Sequence, residues 1–209
     1  MMTAKPHSSA KLHELRTEAA HCHACPLWKN ATQTVFGEGP ADAEIMFVGE
    51  QPGDKEDLVG KPFVGPAGQV LDRALKEAGI ERETAYVTNA VKHFKFVPRG
   101  KMRIHQKPMT MEIRACRQWY EAELEIIKPS LVVALGATAA QSVLGKITAI
   151  GKVRGKIVDT PDGAKALVTV HPSYLLRLPD ADAKEREYAR FVEDLTIAAV
   201  TLRKMRRAA

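Results

Sequence analysis

The sequence predicts an α/β fold, a three-layer αβα sandwich around a mostly parallel sheet of four strands. Short apolar runs rich in β-branched residues alternate along the chain with longer segments of helical period. The 209 residues and 45% hydrophobic content suffice for one substantial core but are few for two ordinary domains. We therefore expect one domain over residues 1–209.

Each element follows from a local pattern. Residues 1–10 are polar and are expected to be flexible, and helical character follows over residues 11–20. The predicted strands are 44–49, 85–89, 131–135 and 166–170. The predicted helices are 67–79, which ends at a glycine, 110–127, 137–144 and 183–204. The longest irregular segment is predicted at 94–109, and long loops in small domains are often functional.

Polar or small residues stand at the ends of all four predicted strands. Asn89 is the last residue of its strand, and Glu50, Gly136 and His171 directly follow the other three. Ligands bind at the carboxyl ends of the strands in open parallel sheets. We therefore expect the four segments to meet at one crevice.

The charge and hydropathy of the chain limit its partners and location. The formal net charge of +6 favours a polyanionic partner without identifying it. No apolar run approaches the roughly 20 residues that span a bilayer, and the N-terminus lacks the apolar core of a secretory signal. We expect a monomer in the cytoplasm with no membrane partner.

Cysteine and histidine residues indicate a metal site. Three cysteines without a secretory signal do not suit a disulfide framework. The candidate ligands are Cys22, Cys25, Cys116 and His93, with His21 and His23 competing for the fourth position. A Cys3His set most often binds structural zinc, whereas iron–sulfur clusters usually take four thiolates. Alternatively, Cys116 is a buried helix thiol and the Cys22 pair is incidental.

Four ordered motifs resemble the iron–sulfur uracil-DNA glycosylases, a family 4-like group. They are Gly49-Glu50-Gln51-Pro52-Gly53, Pro62-Phe63-Val64-Gly65-Pro66-Ala67-Gly68, Val87-Thr88-Asn89 and His171-Pro172-Ser173. The resemblance extends from Cys22 through the last helix and implies the fold of that superfamily. It also implies a 4Fe-4S cluster on Cys22, Cys25, His93 and Cys116 in place of zinc.

Within that superfamily the chain is most similar to the UdgX branch. Gln51 stands where hydrolytic relatives usually have alanine, and His93 stands where they have a cysteine ligand. The chain also has the inserted loop that ends in Arg103-Ile104-His105. The loop of the branch is Lys-Arg-Arg-Ile-His, so Met102 replaces its first arginine.

The resemblance implies a role for each site residue. His171 stabilises the charge that develops on uracil O2, Asn89 selects the uracil edge, and Phe63 stacks on the flipped base. Glu50 orients or deprotonates His105, which attacks C1′ in place of water and stays bonded to the DNA. The other implied substrate-binding residues are Ser173, Gln51 and Asp54, of which the last two exclude water or hold the loop closed. The implied phosphate contacts are Lys101, Arg103, Lys107 and Arg177.

Two alternatives remain at this stage. In the first, His105 only contacts DNA, and Glu50 or Asp54 activates water in a multiple-turnover hydrolase. In the second, the protein is a non-catalytic iron–sulfur module that binds damaged DNA. The expected partner in the leading interpretation is uracil-containing DNA, including single-stranded DNA.

Overall fold

A computed structural model describes residues 6–161 and 163–208 of the chain. The strands are β1 (Ile45–Gly49), β2 (Tyr86–Asn89), β3 (Phe96–Arg99), β4 (Met102–His105), β5 (Leu131–Leu135), β6 (Ile157–Asp159) and β7 (Lys165–Thr169). The α-helices are α1 (Pro6–Ala19), α2 (Asp54–Val59), α3 (Pro66–Glu77), α4 (Thr110–Ile127), α5 (Ala137–Leu144), α6 (Ile150–Val153), α7 (Pro172–Arg177) and α8 (Ala181–Ala208). Short 3-10 helices occupy Pro26–Lys29 and Arg82–Thr84.

The predicted fold class is confirmed, with one additional strand. The main sheet has five strands in the order β2-β1-β5-β7-β6, and the four predicted strands are parallel to one another. The fifth strand, β6, pairs antiparallel with β7 at the sheet edge. The prediction of four strands missed β6 because three residues carry too little periodicity to distinguish a strand from a loop.

The sheet is covered by helices on both faces. Strands β1 and β5 are buried along their whole length, as expected for strands covered on both faces. Ile45 and Phe47 pack on the side of α3, α7 and α8, whereas Met46 and Val48 pack on the side of α1, α4 and α5. Parallel strands in this arrangement bring the loops after β1, β2, β5 and β7 to the same edge.

Two predicted segments differ in the structure. Residues 6–10 are helical rather than flexible, because they begin α1, which packs on the core through Leu12 and Ala19. Residues 1–5 lie outside the described part of the chain. The segment 94–109 is not irregular throughout, since β3 and β4 form an antiparallel hairpin within it. Its turn contains Gly100 at φ +59°, a conformation that glycine adopts without strain.

No helix in the described ranges is long and apolar enough to cross a membrane.

Candidate active site

The loops at the carboxyl ends of the strands bring the predicted catalytic residues together. His105 Nε2 lies 3.3 Å from Glu50 Oε1, although 55 positions separate the two residues in the chain. Glu50 follows β1, and His105 is the last residue of β4. The His105 side chain is 51% exposed and that of Glu50 is 23% exposed, so the pair stands at the mouth of the crevice.

Glu50 is held as a carboxylate. Burial would raise its pKa, but hydrogen bonds with His105 and Thr138 outweigh burial, and the pKa lies below its usual value. Charge interactions with His105 and His171 act in the same direction. Glu50 therefore carries a negative charge across the neutral pH range.

His171 is held as a neutral hydrogen-bond donor. Burial lowers its pKa to about 4, although the nearby Glu50 charge acts in the opposite direction. Its Nδ1 accepts the backbone N–H of Ser173 at 3.1 Å, so the proton of the neutral ring is on Nε2. Ser173 Oγ lies 2.8 Å from the same nitrogen and accepts a hydrogen bond from Arg177 at 2.9 Å. His171 thus caps the N-terminus of α7, and Arg177 reaches Ser173 from one helical turn further along.

Phe63 lies beside His171 in a backbone conformation that is rare for its residue type. Its φ is +56°, and its ring stacks on the imidazole with centroids 6.1 Å apart and an interplanar angle of 25°. A Cβ at Gly68 would overlap the Phe63 carbonyl, and a Cβ at Gly49 would lie 2.7 Å from the Phe63 ring. The same Cβ at Gly49 would overlap Asn89 Oδ1. The glycines of the motifs therefore allow Phe63 and Asn89 to converge.

Gln51 holds the base of the β3–β4 hairpin. Its amide donates to the carbonyls of Lys95 at 3.2 Å and Gln106 at 3.0 Å, and its oxygen accepts the N–H of Lys95 at 3.0 Å. Lys95 and Gln106 flank the two strands. Of the two roles predicted for buried Gln51, the contacts agree with holding the loop closed.

Arg103, predicted to contact phosphate, anchors the inner face of the hairpin. Its guanidinium pairs with Asp54 Oδ1 and Asp57 Oδ2, both at 2.5 Å. It also lies 5.4 Å from the ring centre of Phe94 and 5.1 Å from that of Phe96. Asp54, predicted to bind substrate, is engaged by this arginine. These contacts hold the guanidinium against the protein, and the phosphate contact of Arg103 stays a prediction.

Lys101 and Lys107 are exposed, and within residues 6–161 and 163–208 neither forms an ion pair or side-chain hydrogen bond. Lys101 lies in the hairpin turn, and the neighbouring Met102 is also exposed. Their predicted role as phosphate contacts is compatible with these positions.

The three cysteines are buried, and the residues around them suit a metal centre. Cys25 and Cys116 belong to one apolar cluster, and burial raises the pKa of the Cys116 thiol to about 12. The backbone N–H of Lys92 donates to Cys116 Sγ at 3.1 Å, and Trp119 Nε1 donates to Cys22 Sγ at 3.0 Å. Such donors stabilise thiolates.

His93 is the histidine whose environment fits a fourth ligand. Its Nε2 is 2.9 Å from Thr34 Oγ1, and its buried Nδ1 has no hydrogen-bond partner. An unpartnered buried ring nitrogen is costly unless it binds something. Burial lowers the pKa of His93, which keeps the ring neutral as a metal ligand must be. The competitors His21 and His23 are exposed, and His23 stacks on Trp28.

The spacing of the ligands bears on the kind of centre. In the ranges that the structure describes, no three histidine, cysteine or acidic side chains are close enough to hold a single metal ion. A zinc ion binds all its ligands within about 2.0–2.3 Å of one point. A cluster binds its ligands through different irons and so accepts wider spacing. Three thiols and one imidazole are ligands that both zinc ions and iron–sulfur clusters accept.

Two polar contacts of the site were missed by the sequence analysis. The Thr138 hydroxyl donates to Glu50 Oε2 from the first turn of α5. Lys92 and Glu123 form a fully buried ion pair at 2.6 Å, and Lys92 Nζ also donates to the Asn89 carbonyl at 3.0 Å. A charged residue inside the apolar stretch after β2 was the available signal for Lys92.

Comparisons with known proteins agree with the motifs. The family model described as the uracil DNA glycosylase superfamily matches residues 36–196. The chain is 46% identical over 157 residues to a Type-4 uracil-DNA glycosylase of Thermotoga maritima, across 75% of this chain and 78% of that protein. It is 37% identical over 194 residues to a Type-4 uracil-DNA glycosylase of Saccharolobus solfataricus, across 88% of this chain and 87% of that protein. A Type-5 uracil-DNA glycosylase of Pyrobaculum aerophilum is 32% identical over 155 residues, across 66% of this chain and 64% of that protein.

Proposed function

The chain belongs to the uracil DNA glycosylase superfamily, and we propose from this that it excises uracil from DNA and then stays bonded to the abasic sugar through His105. The proposal follows the resemblance to the UdgX branch. The observation that carries it is the 3.3 Å contact between His105 Nε2 and Glu50 Oε1. A carboxylate there can orient an imidazole for attack and stabilise the positive charge that the attack creates.

Uracil is recognised and activated by groups at the ends of β2 and β7 and in the loop between α2 and α3. Asn89 offers an amide donor and acceptor to the uracil edge, and Phe63 stacks on the base. The Nε2 proton of neutral His171 donates to uracil O2 as negative charge develops there. Because the pKa of His171 is about 4, the ring is neutral at neutral pH and donates only this one proton.

The sugar is captured as the base leaves. The C1′–N1 bond breaks with its electron pair on uracil, and a ring nitrogen of His105 forms the new bond to C1′. The Glu50 carboxylate stabilises the oxocarbenium-like sugar and then the positive charge on the alkylated imidazole, whose remaining proton passes to Glu50 or solvent. Because this N-glycosidic bond lacks a good leaving group, we expect one turnover per molecule.

The anchored hairpin supports this reaction. Gln51 holds the hairpin at its base, and Arg103 holds its inner face. These contacts restrict the motion of His105, and pre-positioned reactants react much faster than mobile ones.

Cys22, Cys25, His93 and Cys116 would hold a 4Fe-4S cluster. The cluster would supply a cross-link between the loop after α1, the segment after β2, and α4. A brown preparation with broad absorption near roughly 400 nm and bound iron would support it, whereas a colourless preparation containing zinc would contradict it.

The partner is proposed to be uracil-containing DNA. Lys101, Lys107 and Arg177 would neutralise phosphates, so we expect affinity to fall as salt rises. One domain, the monomeric state, the use of single-stranded DNA and the cytoplasmic location remain predictions.

A denaturing gel tests the covalent step. Wild-type protein, His105→Ala and the exposed-histidine control His13→Ala are mixed with a labelled uracil-containing oligonucleotide, boiled in detergent and separated. We expect an upshifted band with wild type and His13→Ala but not with His105→Ala. Free oligonucleotide that breaks at the uracil position in alkali would instead support a multiple-turnover hydrolase in which His105 only contacts DNA. No reaction at all would support a binding module.

A further inference from the structure

We propose that Thr138 is a positioning residue that sets the orientation and charge of Glu50 toward His105. The inference rests on the proposed function, because it assigns a task within the same site. Nothing in the motifs points to Thr138, which lies outside all of them.

The two carboxylate oxygens of Glu50 have different partners. Oε2 accepts the hydroxyl hydrogen of Thr138, and Oε1 faces His105 Nε2 at 3.3 Å. The terminal torsion of a glutamate is broad and roughly two-fold, so the side chain alone does not select this orientation. The Thr138 hydroxyl holds one oxygen and thereby directs the other to the imidazole.

The backbone around Thr138 leaves its hydroxyl little freedom. Thr138 is 1% exposed and is the second residue of α5, which starts directly after β5. Gly136, at φ +91°, makes the turn between them, and its N–H donates to the Thr169 carbonyl at 2.9 Å. A threonine is also restricted at χ1 because its β-carbon is branched. The donor is therefore presented in one place.

A neutral donor suits this position better than a cation would. Glu50 faces two titratable groups, His105 and His171, and its pKa lies below normal although burial would raise it. A hydroxyl stabilises the carboxylate without cancelling its charge, and the positive end of the α5 dipole acts in the same direction. The full negative charge thus remains available to His105 and to the sugar.

Two variants separate positioning from a merely structural role. Thr138→Val keeps the shape of the side chain but removes the donor, and Thr138→Ser keeps the donor. Thr160→Val is the matched control, because Thr160 is also buried and its hydroxyl bonds the Ala164 carbonyl outside the site. Thermal unfolding checks that all three variants fold.

The direct test is a pH titration of the Glu50 side-chain carboxyl. Carbon-13 NMR follows the titration, and the Glu50→Gln variant assigns the signal. We expect Thr138→Val to raise the pKa of Glu50 by about one unit, the size of one lost hydrogen bond to a charged group. Thr138→Ser and Thr160→Val should titrate like wild type. An unchanged Glu50 pKa in Thr138→Val would overturn the inference.

The rate of adduct formation is the second readout. At one neutral pH, the rate of adduct formation should fall at least about tenfold in Thr138→Val, the fold-change that corresponds to one lost hydrogen bond to a charged group, and be restored in Thr138→Ser. If wild type forms no adduct, the proposed function fails, but the NMR titration still decides the role of Thr138. If wild type forms the adduct and Thr138→Val forms it at the wild-type rate, the inference alone is wrong.

Discussion

Replacement of Lys92 with methionine would remove the positive half of a fully buried ion pair. Both side chains are 0% exposed, and Lys92 Nζ lies 2.6 Å from Glu123 Oε2. Glu123 would keep hydrogen bonds from Tyr86, Thr88 and the N–H of Gly37, but its charge would lose its only close cation among the described residues.

The expected loss of stability is large. Removal of one partner from a buried pair costs about 3–5 kcal/mol, because a charge is left uncompensated away from water. For a chain of this size, that corresponds to a fall in Tm of about 6–20 °C. The exposed pair of Lys61 and Glu38, 3.0 Å apart, offers a matched control, and Lys61→Met should change stability by about 1 kcal/mol or less.

Circular dichroism during thermal unfolding measures these changes. The iron content of each variant is recorded too, because the backbone N–H of Lys92 donates to Cys116 Sγ. Glu123→Gln should also destabilise the protein, and the double variant should cost less than the sum of the two single variants. A fall in Tm no larger than that of Lys61→Met, or strict additivity in the double variant, would refute the reasoning.

Three further outcomes follow from the site. Gly49→Ala should slow uracil excision on the order of 100-fold, because the new Cβ would displace Asn89. Gly151→Ala is the control, since open space surrounds Gly151, and it should leave the rate unchanged. Equal rates in the two variants would contradict the role of Gly49. Burial lowers the pKa of His171 from 6.5 to about 4, so between these pH values the unfolded chain binds a proton that the folded chain does not bind. The stability of the fold should therefore decrease as the pH falls from about 6.5 to about 4. In His171→Gln, Tm should decrease less over this pH range than in wild type. An equally steep decrease in the variant would contradict the assignment to His171. Gln51→Ala should speed hydrogen exchange in the hairpin at least about tenfold but not in the main sheet, as followed by mass spectrometry.

Elements with a local pattern were predicted well from the sequence. Helix α4 and strand β5 begin and end at the predicted residues. The rule that polar residues gather after parallel strands also located Glu50 and His171 in one crevice.

The β3–β4 hairpin was not predicted because its local signals are mixed. Pro98 lies within a strand, which argues against a central strand but is allowed in a two-stranded edge. The hairpin is held by distant residues, namely Gln51 at its base and Asp54 of α2, which contacts Arg103. Such anchoring cannot be recognised in a ten-residue window.

The sequence by itself determined the fold class, the family and the identity of the candidate catalytic groups, since periodicity and motif spacing are local properties of the chain. Only the tertiary structure decided what those groups contact. The Glu50–Thr138 contact joins residues 88 positions apart, and the Lys92–Glu123 pair joins residues 31 apart. Charge and orientation in a buried site depend on three-dimensional neighbours, so they are defined only once the sheet brings the strand ends together.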